Sequence, residues 1–212
     1  EGNGDIYAGE FKTIKGKKYA FRNDGRMING LKFIADNGSG LSVIADDDDD
    51  YPFDTEDGFN DNAPYWEAKG YRCYYFGDGN DGAMRTNKAT VSIDGDNFSF
   101  YFEKSGGSKG AGRTGEKDDK FYQSGKLLRA GSDEKYQVVQ KKTVGNKTVY
   151  VKLDDAKAFL AAVAHTTPTA DASGKITIGD VTKKAEDLKE AYTVTTPTDS
   201  YFLVNTSGSV ID

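Results

Sequence analysis

Carboxylates are the most abundant reactive side chains in this sequence: Asp46 to Asp50 form an unbroken run, followed by Asp54, Glu56, Asp57 and Asp61. Two acids held at a set separation across a glycosidic bond hydrolyse it, but these acids follow no spacing that selects such a pair. Adjacent carboxylates repel one another, so residues 46–64 are expected to form a solvated acidic loop. The single histidine, His165, has no neighbouring base or placed nucleophile and reads as structural or exposed. Cys73 is the only cysteine, which excludes an internal disulfide and a cysteine-rich zinc site. No catalytic residue is assigned, and the chain is not read as an enzyme. The remaining chemistry is non-covalent. Tyr65 and Trp66 are adjacent flat rings of the kind that cover the apolar face of a sugar, and Tyr71 and Tyr74 are the further ligand-binding candidates.

Composition limits what could position these rings. The chain has 212 residues, of which 36% are hydrophobic and 25 are glycine, so one deep core is not expected. Its 13 tyrosines and 12 phenylalanines suit several hairpins sharing a thin, ring-rich core. A formal net charge of -6 disfavours broad electrostatic capture of nucleic acid or of anionic membranes. No apolar run approaches the length of a transmembrane span.

A recurring punctuation organises the chain: an aromatic strand, a glycine turn, then Met, Leu or Val. Tyr19-Ala20-Phe21 leads through Asn23-Asp24-Gly25 to Met27, and Tyr74-Tyr75-Phe76 leads through Asn80-Asp81-Gly82 to Met84. Looser copies run from Phe121-Tyr122 through Gly125 to Leu127 and from Tyr201-Phe202 through Gly208 to Val210. Val91-Ser92-Ile93 and Phe98-Ser99-Phe100-Tyr101-Phe102, with Asp94-Gly95 between them, alternate as a hairpin should. Val144-Gly145-Asn146-Lys147 marks another turn. Asp154-Asp155 can cap a helix over Ala156 to Ala164, and Asp180 can cap a second helix to about Tyr192. The expected fold is therefore mostly β, an irregular β-hairpin repeat solenoid with a small two-helix insertion. Its parts are a hairpin unit over 1–45, the acidic loop over 46–64, further hairpin units over 65–153, the two-helix insertion over 154–194 and a cut-short hairpin over 195–212.

The two clearest units resemble the cell-wall-binding repeats, choline-binding or glucan-binding, of secreted bacterial proteins. The resemblance rests on Gly16-Lys17-Lys18-Tyr19-Ala20-Phe21, Gly25-Arg26-Met27 and Asn29-Gly30-Leu31, and on Gly70 to Phe76 with Gly82-Ala83-Met84-Arg85-Thr86. It implies hairpins stacked as a solenoid, a secreted or cell-surface location, and attachment to a cell-wall polysaccharide or peptidoglycan-associated glycan. Lys18 and Cys73 stand where that family's hairpin tryptophan would, and Leu31 and Lys88 where its trailing tryptophan would. A lysine beside such a pocket repels a quaternary ammonium, so Tyr19, Phe21, Tyr75, Phe76, Met27 and Met84 are expected to pack repeat against repeat.

Between the two expected helices, Thr169-x-Asp171-x-Ser173-Gly174-Lys175-Ile176-Thr177, ending at Asp180, resembles an EF-hand or dockerin loop. The resemblance implies calcium held by Asp171, Ser173, Lys175 and Asp180, although Thr169 occupies the first position, where those loops place aspartate. No other cofactor is expected. Non-catalytic attachment to a bacterial cell-wall polymer or glycan is the functional expectation. A structural or adhesion spacer is the alternative, and a glycan-processing enzyme the remote one.

Overall fold

The computed structural model describes residues 6–44, 51–134, 136–153, 169–170, 176–178, 181–183 and 200–210. Among the described residues, strands account for 45% and helix for 9%, so these residues are mostly β as expected, in several small sheets with no closed barrel. It divides into two compact units: residues 1–113 with 124–126, and residues 114–123 with 127–212.

In the first unit, β1 (Glu10–Ile14) and β2 (Lys17–Phe21) form an antiparallel hairpin. Lys15 and Gly16 both take positive φ, which lets a two-residue turn match the twist of the strands. β3 (Leu31–Asp36) lies between β4 (Leu41–Val43) and β5 (Arg72–Tyr75), with Phe33 opposite Cys73. β6 (Asn87–Ile93) and β7 (Asp96–Phe102) pair over seven residues around the Asp94–Gly95 turn.

The three-stranded sheet is buried on both faces. Phe33, Cys73 and Tyr75 face one core, with Phe53, Phe59, Ala63, Val91, Ile93, Phe98, Phe100 and Phe102. Their neighbours in sequence, Ile34 and Phe76, face a second core with Ala20, Ile28 and Leu41, against which Phe11, Tyr74 and Met84 pack. Because alternate residues of a strand point to opposite faces, the run Tyr74-Tyr75-Phe76 is apolar throughout for the reason a doubly covered strand must be. The rings make close pairs: Phe33 stacks on Phe53 at 4.1 Å, and Phe59 meets Phe100 edge-on at 5.5 Å.

The residue that follows each turn glycine by two positions has a repeated role. Met27 covers Gly82, and Met84 covers Gly110: a Cβ built on the glycine would lie 2.5 Å from Met27 Cε and 2.3 Å from Met84 Cε, respectively. Ile6 covers Gly25 in the same way, and in the second unit Leu127 covers Gly208. Main-chain hydrogen bonds accompany this covering, with Met84 N–H donating to Lys18 O at 2.8 Å and Phe76 N–H to Gly30 O at 2.9 Å.

The second unit pairs β8 (Gly115–Lys117) with β9 (Lys120–Gln123), and places β11 (Gln137–Val144) between β12 (Lys147–Leu153) and β16 (Ser200–Val204). The short β10 (Lys126–Leu127) spans the boundary between the units. Phe121, Leu128, Val139, Tyr150 and Val204 form the second unit's core. Of the cut-short hairpin expected over 195–212, the described residues 200–210 supply β16 to this sheet and a turn closed by a bridge from Val204 to Val210.

Two expectations are corrected. Residues 56–64 are not loop but the greater part of a helix, α1 (Glu56–Ala68), which also carries Tyr65 and Trp66 outside any hairpin. Charge repulsion loses there because Thr55 caps the helix through Gly58 N–H, and Glu56 and Asp57 lie where the helix dipole favours negative charge. The helix expected to start after Asp180 begins instead as a strand: β13 (Thr169–Ala170), β14 (Ile176–Ile178) and β15 (Val181–Lys183) form an antiparallel sheet. The β-branched residues Ile176, Thr177, Ile178, Val181 and Thr182 prefer this extended backbone. The helix expected over Ala156 to Ala164 lies outside the described residues, as do Asp46 to Asp50.

The covering contact predicts a difference between glycines that share positive φ. Gly95 has nothing within 4 Å of a built Cβ, so Gly95→Ala costs backbone strain alone, about 1–2 kcal/mol. Gly82→Ala adds a clash with Met27, worth about 1–3 kcal/mol more. In a double-mutant cycle followed by denaturant unfolding, Met27→Ala is expected to remove that excess at Gly82 and leave the cost at Gly95 unchanged.

Candidate functional site

The rings singled out in the sequence meet at the C-terminal end of α1. Gly70, with φ +97°, reverses the chain, so that its N–H donates to Glu67 O at 2.9 Å and Tyr71 N–H donates to Trp66 O at 3.2 Å. This is the Schellman pattern, which satisfies helix carbonyls that would otherwise lack partners and brings the flanking apolar residues together. Here those residues are Trp66 and Tyr71, whose rings meet edge-on at 5.3 Å. Tyr65 extends the group, 5.2 Å from Trp66 and 50% exposed.

Lys69, the C-cap residue, holds its Nζ 4.3 Å from the Tyr65 ring centre and 5.2 Å from that of Trp66, within the range of cation–π attraction. Tyr71 shares a 2.9 Å hydrogen bond with Ser42 on β4, which ties the ring group to the three-stranded sheet. The result is an exposed ring beside a half-buried indole, flanked by one cation and a tyrosine–serine hydroxyl pair. Such a surface can stack a sugar face and donate or accept at its hydroxyls.

Tyr74 does not belong to this group. It lies on the opposite face of β5, 5.1 Å from Phe11 and 6.3 Å from Phe76, and burial raises the pKa of its phenol. The sequence reading missed Lys69 and Ser42. For Lys69 the following Gly70 was the available signal, since glycine after a run ending in Trp-Glu-Ala-Lys marks a helix end.

At the positions that departed from the repeat pattern, Lys18 places its Nζ 5.1 Å from the Phe11 ring, so this chain's own ammonium lies on an aromatic face. Cys73 is buried at 1% exposure, and that burial, with Glu67 nearby, holds its thiol well above the usual pKa. Such a thiol is a packing group, not a nucleophile. Leu31 packs against the larger core and Lys88 is exposed on β6. Asp171, Ser173, Lys175 and Asp180 lie outside the described residues, and strands, not helices, flank them at Thr169–Ala170 and Val181–Lys183. Among the described residues, no group of three or more His, Cys, Asp or Glu could hold a metal, and no helix is long and apolar enough to cross a membrane. In comparisons with known proteins, no family model and no curated sequence matches the chain.

Two outcomes follow. Gly70→Ala meets no neighbour and so loses only its backbone preference, about 1–2 kcal/mol. Trp66 is the only tryptophan, so this loosened cap is expected to red-shift the protein's fluorescence emission. Tyr75 ionises late, its pKa raised to about 12 by burial and by a hydrogen bond to Asp78. A phenol whose pKa is higher folded than unfolded stabilises the fold below the unfolded value, about 10, and that contribution is lost as pH rises toward 12. Alkaline unfolding of Tyr75→Phe is therefore expected to show a shallower loss of stability across that window than the wild type.

Proposed function

We propose that this chain is a non-catalytic attachment module of a secreted or surface protein, holding a bacterial cell-wall polymer or glycan at Tyr65 and Trp66. The observation that carries this reading is Tyr65 itself. A tyrosine ring left half exposed beside an indole, on a rigid helix end, loses little freedom when a sugar stacks on it. The covering of successive turn glycines by Ile6, Met27, Met84 and Leu127 supports the companion reading of the chain as stacked hairpin repeats. Lys18 on the Phe11 face argues against choline as the ligand, because a second cation there meets the first.

A structural spacer is the second reading, and one observation favours it. The contact between Trp66 and Tyr71 is also what a helix C-cap requires, so those rings have an internal use that needs no ligand. Substituting Tyr65 separates the two readings, since its ring takes no part in the cap hydrogen bonds.

Purified chain incubated with sedimented cell wall is expected to co-sediment. Tyr65→Ala, folded by circular dichroism, is expected to weaken that binding about tenfold, a change of about 1.4 kcal/mol. Excess choline should leave both unchanged. Equal retention of wild type and Tyr65→Ala would favour the spacer reading, and elution by choline would restore the ammonium mechanism.

A further inference from the structure

Asn3, Asn29 and Asn37 each precede a glycine. In such a pair the glycine nitrogen and the asparagine Cγ are linked through only three atoms, so rotation about two bonds closes them into a five-membered ring. Proximity is thus built into the covalent chain, and glycine has no side chain to hinder the closure. What distinguishes the pairs is how the fold treats the reacting atoms. Asn3 lies outside the described residues.

At Asn29 the fold holds these atoms away from reaction. Gly30 N–H donates to Gly77 O at 3.0 Å, and Asn29 Nδ2 donates to Gly79 O at 3.3 Å. Both acceptors are carbonyl oxygens, too weakly basic to take up an amide proton.

Asn37 lies in the exposed turn from β3 to β4, where its own N–H donates to Gly40 O at 3.3 Å. Here the neighbours match the reacting atoms one by one. Gly38 N–H donates to Asp36 Oδ1 at 2.9 Å, so a carboxylate sits on the proton that has to leave. Asn37 Oδ1 accepts from Ser39 N–H at 3.1 Å and from Ser39 Oγ–H at 3.0 Å. The oxygen that turns negative when Cγ is attacked therefore already faces two donors. No atom lies within 4 Å of a Cβ built on Gly38, which leaves the ring room to close. A base on the nucleophile and donors on the developing oxyanion are the two aids this attack needs.

We propose that Asn37 is a site of self-modification, converted to aspartyl and isoaspartyl forms through a cyclic imide, with Asp36 and Ser39 as its catalytic groups. Asp36 takes the Gly38 amide proton as that nitrogen attacks Asn37 Cγ, while Ser39 holds the charge on Oδ1. The bond from Cγ to Nδ2 then breaks, the proton passes to the departing nitrogen, and ammonia leaves the imide. Water adds to either imide carbonyl and opens the ring. Breaking the bond from nitrogen to Cγ leaves an aspartyl residue, and breaking the bond to the main-chain carbonyl leaves the isoaspartyl form, one methylene longer in its backbone. One carboxamide and one water become one carboxylic acid and one ammonia, with no oxidant or reductant. The product places a second carboxylate beside Asp36.

The test follows the full chain at neutral pH over days, native and in urea, by the masses of its tryptic peptides. Cleavage after Arg26, Lys32 and Lys69 puts Asn29 and Asn37 on separate peptides. The Asn37 peptide is expected to gain the mass difference between asparagine and aspartate and to split into two chromatographic forms. Native chain is expected to convert Asn37 at least about tenfold faster than denatured chain does, and Asn29 more slowly than denatured chain does. Asp36→Ser, whose hydroxyl can keep the turn, and Ser39→Ala, which keeps the main-chain donor, should each lower the native rate at Asn37 by about tenfold and leave the denatured rates unchanged. A native rate at Asn37 no higher than the denatured rate overturns the proposal, because the pair then reacts by sequence alone. So does a native rate that Asp36→Ser does not lower, or one that Asn29 equals. If a variant fails to fold by circular dichroism, the native and denatured rates of the wild type decide the matter alone.

Discussion

Burial of the three-stranded sheet on both faces is the constraint on which the first unit depends. A strand covered on one side can alternate apolar and polar residues, but β5 and Phe76, which follows it, have to supply a ring or a thiol at every position from Cys73 to Phe76. That requirement separates Tyr74 from the exposed rings and fixes Cys73 as an inert packing group. It also draws α1 onto one face, because Phe59 and Ala63 complete the core to which Cys73 and Tyr75 contribute. The helix end, and with it the pair of Trp66 and Tyr71, is placed by this packing.

Neither core is large, and the covered glycines show how modest cores are extended along the chain. A turn glycine with positive φ exposes a patch of bare backbone. Met27, Met84 and Leu127 each close such a patch with flexible apolar atoms. The same residue therefore ends one turn and covers the next. This links residues distant in sequence without the long contiguous apolar runs that the composition lacks.

Legibility in the sequence follows from how local the determining interaction is. The turn at Asp94–Gly95 and the alternation of Phe98, Phe100 and Phe102 could be read directly, since both depend on neighbours within a few residues. The aromatic run at Tyr74 to Phe76 reads as packed in the sequence, but only the structure shows that its strand is covered on both faces. Helix α1 was missed because its buried face mixes Phe59, Ala63 and Pro64 with Asn60 and Glu67, so the apolar period that marks an ordinary surface helix is interrupted. Its caps, Thr55 and Gly70, were the signals still present. The candidate ring group was partly legible: Tyr65, Trp66 and Tyr71 come together, whereas Tyr74, named with them as a ligand-binding candidate, packs against the other core, a side that could not be known before the partner strand β3 was.

The polar contacts of α1 link the site to the interior. Beside the buried Phe59 ring, the helix turns Glu56 and Glu67 toward Lys126 and Ser124 and leaves Tyr65 outside. Polar contacts of this kind are directional, so they fix the rotation of the helix about its own axis more tightly than apolar packing alone would. With Glu67 bonded inward to Ser124, Trp66 and Tyr65 can only emerge beside it, and Gly70 folds Tyr71 back against them. Exposure of the ring group is thus a consequence of which residues the helix keeps inside, and a change to these polar contacts would reach the surface through the orientation of the whole helix.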